Sequence, residues 1–195
     1  MLLQTNRLII ENFKDSDIPD WAKIESDADV RRFVDGKVLS INEAGAYVAM
    51  NIRQYQTRGY GRYAVRLKQN RTLIGMCGFL NETYGIDFGY RYSKDSWGKG
   101  LGFEAAKEVL EYGFSKLGLK KVLGLTAEQN LASIRILEKL GFNFEEKFLF
   151  NNTKALRYSF PRKKFREVNI HRKKNSDWVG NRSIDLNSKH VFNRW

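Results

Sequence analysis

Apolar residues along the chain follow two periods in turn. Leu8 to Phe13 reads as a first strand. Ser16 and Asp17 are placed to cap a short helix running through Trp21 and Ile24. Ser40-Ile41-Asn42-Glu43 has capping-box spacing, in which the Ser and Glu side chains satisfy free backbone N–H groups reciprocally, and the helix it opens should end near Gly59. The period then changes to two. Tyr63, Val65 and Leu67 alternate with more polar positions, which predicts a half-buried strand. Gln69-Asn70-Arg71 makes a turn, Leu73 to Leu80 returns as a strand, and Asp87 to Ser93 follows as another. After Gly98, Gly100 and Gly102 comes a helix with Phe103, Ala106, Leu110, Gly113 and Leu117 on one face, ended by Gly118. Val122 to Ala127 reads as a strand and Leu131 to Leu140 as a helix stopped at Gly141. Phe142 to Phe150, an Asn151-Asn152 turn and Leu156 to Phe160 read as a closing hairpin. The order β-α-α-β-β-β-α-β-α-β-β contains seven strands. Early strands in direct succession pair antiparallel, whereas the β-α-β unit from Asp87 to Ala127 needs a crossover and parallel strands. The expected class is α/β (α+β): a mixed sheet with helices on both faces.

Composition narrows the setting. The 195 residues are 42% hydrophobic and include 13 Phe, 9 Tyr and 4 Trp, enough to build one domain with its own core. No run of about 18 apolar residues is present, so no membrane span is expected. Met1 to Arg7 lacks a basic leader followed by an apolar block, so no signal peptide is expected. The single cysteine, Cys77, lies in an apolar run and reads as a small core hydrophobe. These features together fit a reducing cytoplasm. The net charge of +12 is uneven: residues 161–195 hold 10 Lys and Arg against 3 Asp and Glu, a net of +7, leaving +5 for residues 1–160. We therefore divide the chain into a domain over 1–165 and a basic C-terminal tail over 166–195. The tail is read as solvated and partly disordered, or as packed on the body or a partner subunit, with a nucleic-acid contact as a third option.

Trp97-Gly98-Lys99-Gly100-Leu101-Gly102-Phe103-Glu104-Ala105 joins a strand to a helix N-terminus. Such an end offers unpaired N–H groups and a partial positive charge, glycines let the backbone approach an anion, and Lys99 adds a cation. A purely structural tight turn is the alternative. Two other phosphate loops are excluded: Gly98-Lys99 is followed by Gly100 rather than Ser or Thr, and G-x-G-x-x-G is not met after Gly98 or Gly100.

Gly89-Tyr90, then Trp97 to Gly102, then Glu104-Ala105 resembles the acyl-CoA signature of the GNAT superfamily of N-acyltransferases, Gln/Arg-x-x-Gly-x-Gly/Ala. Trp97 takes the first position, a departure that is usual in the RimJ/RimL-type branch, which resembles ribosomal-protein N-terminal acetyltransferases. Thr5 to Ile10 is similar to that branch's opening strand and Leu73 to Phe79 to its third. Asn130-Leu131-Ala132-Ser133 with Leu137-Glu138-Lys139-Leu140-Gly141-Phe142 is similar to its closing motif. The resemblance covers roughly residues 3–160. It implies a mostly antiparallel seven-stranded sheet, acetyl-CoA as cosubstrate and no metal. It further implies cosubstrate contacts from Phe88, Tyr90, Tyr92, Trp97, Gly98, Lys99, Gly100, Leu101, Gly102, Asn130 and Ser133.

Acyl transfer from a thioester needs a neutral amine, N–H donors for the developing oxyanion and modest help for a thiolate of pKa about 8.5. Mostly it needs two substrates held in place. By resemblance, the strand before the glycine loop splays from its neighbour, and Phe88 to Tyr92 hold the pantetheine arm. Asp87 at the head of that strand is the candidate base, against a reading as a local strand-end Asp; Glu82 is a weaker candidate. Asn130 reads as a helix N-cap, as a pantetheine partner, or as both. Many relatives carry a Tyr acid where Leu137 stands, so Ser133, a water or another Tyr must serve. His171 and His190 both fall in the tail and with one Cys make no metal site.

Three functions fit: acetylation of a protein N-terminal α-amine; acetylation of a small amine (aminoglycoside, polyamine or amino acid); or a non-catalytic CoA- or RNA-binding module. The early helices carry Asp27, Asp29, Asp35 and Glu43 but also Arg31, Arg32 and Lys37, so charge does not choose the acceptor. The chain is expected as a monomer or homodimer, with no membrane partner.

Overall fold

The computed structural model describes residues 1–150 and 153–165. Met1–Arg162 forms one compact unit. The Asn151-Asn152 turn, the tail and both histidines lie outside the described residues.

The strands are β1 (Leu2–Gln4), β2 (Leu8–Glu11), β3 (Arg62–Leu67), β4 (Leu73–Glu82), β5 (Gly85–Tyr92), β6 (Lys121–Ala127), β7 (Asn143–Phe150) and β8 (Thr153–Pro161). The helices are α1 (Ile18–Glu25), α2 (Ala28–Arg31), α3 (Ile41–Arg58), α4 (Leu101–Ser115) and α5 (Leu131–Leu140). They form one sheet in the order β1-β2-β3-β4-β5-β6-β8-β7, antiparallel throughout except for β5 and β6. The mixed sheet is as expected, with eight strands among the described residues instead of seven. The addition is β1, whose three residues hairpin onto β2 with Leu3 opposite Ile10.

The capping box opens α3 as its spacing predicts: Ser40 Oγ accepts from Glu43 N–H while Glu43 accepts from Ser40 N–H at 2.8 Å. Gly59 and Gly141 stand at the C-caps of α3 and α5, whereas α4 stops at Ser115, before Gly118. The half-buried expectation for β3 needs correction. Arg62 and Arg66 are buried along with the apolar residues between them, because each is neutralised by a distant carboxylate: Arg62 by Asp87, Arg66 by Glu11 and Asp17.

The sheet has a core on each face. Phe13, Trp21, Ala44, Val48, Ala64 and Met76 form a buried cluster beneath α1 and α3. On the other face Phe79, fully buried, packs against Phe88 at 5.4 Å between centroids and lies under Gly113 of α4. A Cβ on Gly113 would stand 2.4 Å from Phe79 Cζ. Gly113→Ala should gain about 1 kcal/mol in helix propensity but lose roughly 1–3 kcal/mol to overpacking. The enclosed ring cannot retreat, so we expect a melting temperature lowered by several degrees; a raised one would show that α4 shifts freely.

Candidate active site

The site begins where β5 and β6 part. The two parallel strands pair at one position, Asp87 with Leu123. Beyond it Phe88 to Tyr92 and Gly124 to Ala127 diverge, so the edges facing one another there carry unpaired backbone groups. The end of β5 leads through a 3-10 turn at Lys94–Ser96 to the glycine loop and α4. Gly98 (φ 72°) and Gly100 (φ 73°) both take left-handed backbone, which the loop requires and side chains resist. Gly100 is the N-cap of α4 and has no side chain to occupy the first-turn N–H groups of Leu101, Gly102 and Phe103. Lys99 is exposed beside them. Trp97 is anchored by its indole N–H donating to the Tyr92 carbonyl at 2.9 Å, with its ring half exposed. Gly102 sits so close to Tyr92 and Ile136 that a Cβ would lie 3.0 Å from the Tyr92 ring. A strand-to-helix loop of this kind, opening onto diverging strands, fits a pyrophosphate followed by an extended arm with amide groups.

Alternation along β5 divides the candidates between the two faces. Phe88, Tyr90 and Tyr92 face α4 and α5: Phe88 stacks on Phe142 at 5.8 Å, and Tyr90 lies 6.4 Å from Tyr92. The Tyr90 hydroxyl stands 3.1 Å from Ser133 Oγ and donates to the Ser133 carbonyl at 3.0 Å. Burial pushes the Tyr90 phenol above its ordinary pKa, so it stays protonated. Asn130 Oδ1 accepts from Ser133 N–H at 3.1 Å and caps α5, which leaves its amide nitrogen free for other acceptors. Leu137 is buried against Gly124.

Asp87 faces the other way, toward α1 and α3, apart from Ser133. It is paired with the buried Arg62 guanidinium, and Tyr84 and the Leu125 N–H also bear on its carboxylate. Burial pushes the Asp87 carboxyl above the usual range, while the pairing with Arg62 opposes that shift. Arg62 reaches Asp87 across a row without side chains: Gly78 is its register partner on β4, and Gly89 is the partner of Gly78 on β5. A Cβ at Gly89 would fall 1.6 Å from Arg62 Nη1. Glu82, at the end of β4, is exposed. Further along the same face Glu25, with no exposed surface, accepts from both Arg91 and Arg31, and Arg31 also holds Asp35.

Arg62, Arg91 and Glu25 escape sequence reasoning because their partners lie 25 or more residues away, except for the Glu25–Arg31 link. An arginine inside an otherwise apolar strand was the one available signal. Among the described residues no cluster of three or more His, Cys, Asp or Glu could hold a metal ion. No helix among them is long and apolar enough to cross a membrane.

Comparison with known proteins agrees with this geometry. Residues 7–143 match the Acetyltransferase (GNAT) domain family. The uncharacterized N-acetyltransferase YoaA of Bacillus subtilis is 29% identical over 148 residues, 74% of this chain and 84% of that protein. The fold is shared with a GNAT-family acetyltransferase from Bacillus anthracis (TM-score 0.74, 24% identity, 84% of this chain and 99% of that one). It is shared also with RimL, a ribosomal L7/L12 α-N-protein acetyltransferase in complex with coenzyme A (TM-score 0.72, 16% identity, 83% and 97%). With the family matched over most of its length, the chain belongs to the GNAT acetyltransferases and is an acetyl-CoA-dependent N-acetyltransferase.

Proposed function

We propose that the enzyme acetylates a protein N-terminal α-amine by direct attack within a ternary complex. The observation that carries this reading is how the acidic residues from Glu25 to Glu43 are used. Asp27 caps α2 by accepting from Asp29 N–H, Asp29 pairs with Lys94, Asp35 and Glu25 pair with Arg31, and Glu43 closes the capping box. With each of these carboxylates engaged, this stretch of the wall does not offer the free acidic groove that an aminoglycoside or polyamine would favour. It suits an acceptor presenting one amine. The RimL neighbour is described as acting on a ribosomal protein's α-amine, which supports the same class.

Bound acetyl-CoA supplies an activated thioester. Around it, Gly98 to Gly102 would cradle the pyrophosphate, and Asn130 and the free edge of Phe88 to Tyr92 would hold the pantetheine arm. The N–H groups of that edge would polarise the carbonyl. Asp87 takes the proton from the amine, directly or through a water, on the acceptor face. On the opposite face Ser133, backed by the Tyr90 hydroxyl, would donate a hydrogen bond to the sulfur, which leaves as the thiolate. A cytoplasmic setting suits the single buried Cys77 thiol, and the chain acts as a monomer or homodimer. Residues 1–165 form the catalytic domain, with 166–195 as its basic extension.

The test measures CoA release from acetyl-CoA with a panel of N-terminal peptides, aminoglycosides, polyamines and amino acids. Turnover with peptides is expected; turnover confined to polycations would overturn the acceptor class. Asp87→Asn should lower peptide turnover roughly 100-fold below about pH 7, with the gap closing toward pH 9, where the α-amine (pKa about 8) loses its proton unaided. A loss equal at every pH would remove Asp87 from proton transfer.

A further inference from the structure

The first turn of α4 carries an acid, Glu104, beside the loop assigned to a pyrophosphate. A free carboxylate there would repel the ligand, yet every Glu104 contact goes to the β1–β2 turn. Its Oε1 accepts from the Thr5 hydroxyl and, at 3.0 Å, from Arg7 N–H. Its Oε2 accepts from Arg7 Nε at 2.7 Å and lies 2.6 Å from Arg7 Nη2. These bonds outweigh its partial burial and hold the Glu104 carboxyl below the usual range, so it stays ionised. The remaining arm of the same guanidinium, Nη1, donates to the Lys99 carbonyl at 2.9 Å, inside the glycine loop. The turn is itself braced: Thr5 Oγ1 accepts from Leu8 N–H at 2.9 Å, and the Arg7 carbonyl accepts from Lys68 N–H at 2.8 Å.

From this we infer that Arg7 and Glu104 are positioning residues for the cosubstrate's pyrophosphate: Glu104 orients Arg7, and Arg7 pins the Lys99 carbonyl. With that carbonyl held, the Gly100 cap and the N–H groups beyond it are preset for an anion rather than ordered at binding. The pair also cancels the Glu104 charge at a helix end whose dipole would otherwise be partly satisfied by it. The inference rests on the glycine loop being the pyrophosphate site.

Calorimetry with acetyl-CoA and with S-acetylpantetheine, which lacks the pyrophosphate, separates the possibilities. Arg7→Gln should weaken acetyl-CoA binding about tenfold and leave S-acetylpantetheine binding unchanged. Because the two residues act as a unit, adding Glu104→Gln should cost no further affinity. Equal loss for both ligands would overturn the inference, because a general disturbance of the fold acts on both. Unchanged acetyl-CoA affinity would overturn it too. If the wild-type protein bound both ligands equally, the pyrophosphate assignment beneath the inference would fail instead.

Discussion

Gly100→Asp should abolish acetyl-CoA binding while leaving the protein folded. Asp tolerates left-handed backbone better than most residues with a side chain, so α4 should survive. What changes is the anion site. The new carboxylate would set a negative charge against the pyrophosphate. Two unit charges at about 4 Å in a surface-like medium repel by about 4 kcal/mol, roughly three decades of affinity. A Cβ at this position also stands 3.7 Å from Arg7 Nη2, within reach of the arm that pairs with Glu104. Gly100→Asn has the same shape without the charge, and it should lose about tenfold. Calorimetry on both variants decides the matter: wild-type affinity in Gly100→Asp would mean that the loop does not hold a phosphate.

The second large effect is on stability. Arg62→Met would leave Asp87 buried without its guanidinium. Breaking a buried pair from one side costs about 3–5 kcal/mol, since the desolvated charge remains. For a domain of this size that corresponds to a melting temperature lower by roughly 10 °C or more. The pH dependence has a definite sign. Burial already holds the Asp87 carboxyl above its ordinary value, and without Arg62 it rises further. Below the ordinary carboxylate range, about pH 4, the group is protonated folded or unfolded and the variant suffers least from it. Its stability then falls as pH rises through the elevated folded value. The double variant Arg62→Met/Asp87→Asn should recover much of the loss. Thermal melts at pH 5 and pH 8 that showed the same deficit would argue that Asp87 stays solvated.

Local signals carried most of the fold. The Ser40–Glu43 box, the stop at Gly141 and the run from Leu73 to Leu80 that becomes β4 each act over a few residues, so the chain states them directly. β1 and α2 escaped notice because three or four residues are too few to display a period; β1 exists because Leu3 pairs with Ile10. Arg62 and Arg66 misled for the opposite reason: their polarity suggested exposure, and only carboxylates brought in from Glu11, Asp17 and Asp87 let them be buried. The site divides in the same way. The glycine loop is contiguous and was legible. The meeting of Tyr90 with Ser133, 43 residues apart, and of Arg7 with Glu104, 97 apart, exists only once the sheet has formed.

The alternation of β5 has a consequence for how such an enzyme diversifies. Even-numbered positions Phe88, Tyr90 and Tyr92 look toward α4 and α5, and odd-numbered Asp87, Gly89 and Arg91 toward α1 and α3. One strand therefore carries two independent vocabularies. The odd set is tied to its own face: Asp87 pairs with Arg62, Gly89 leaves the room that Arg62 crosses, and Arg91 holds Glu25. A single inserted residue would exchange the two sets at a stroke, so the length of this strand is fixed as firmly as its residues.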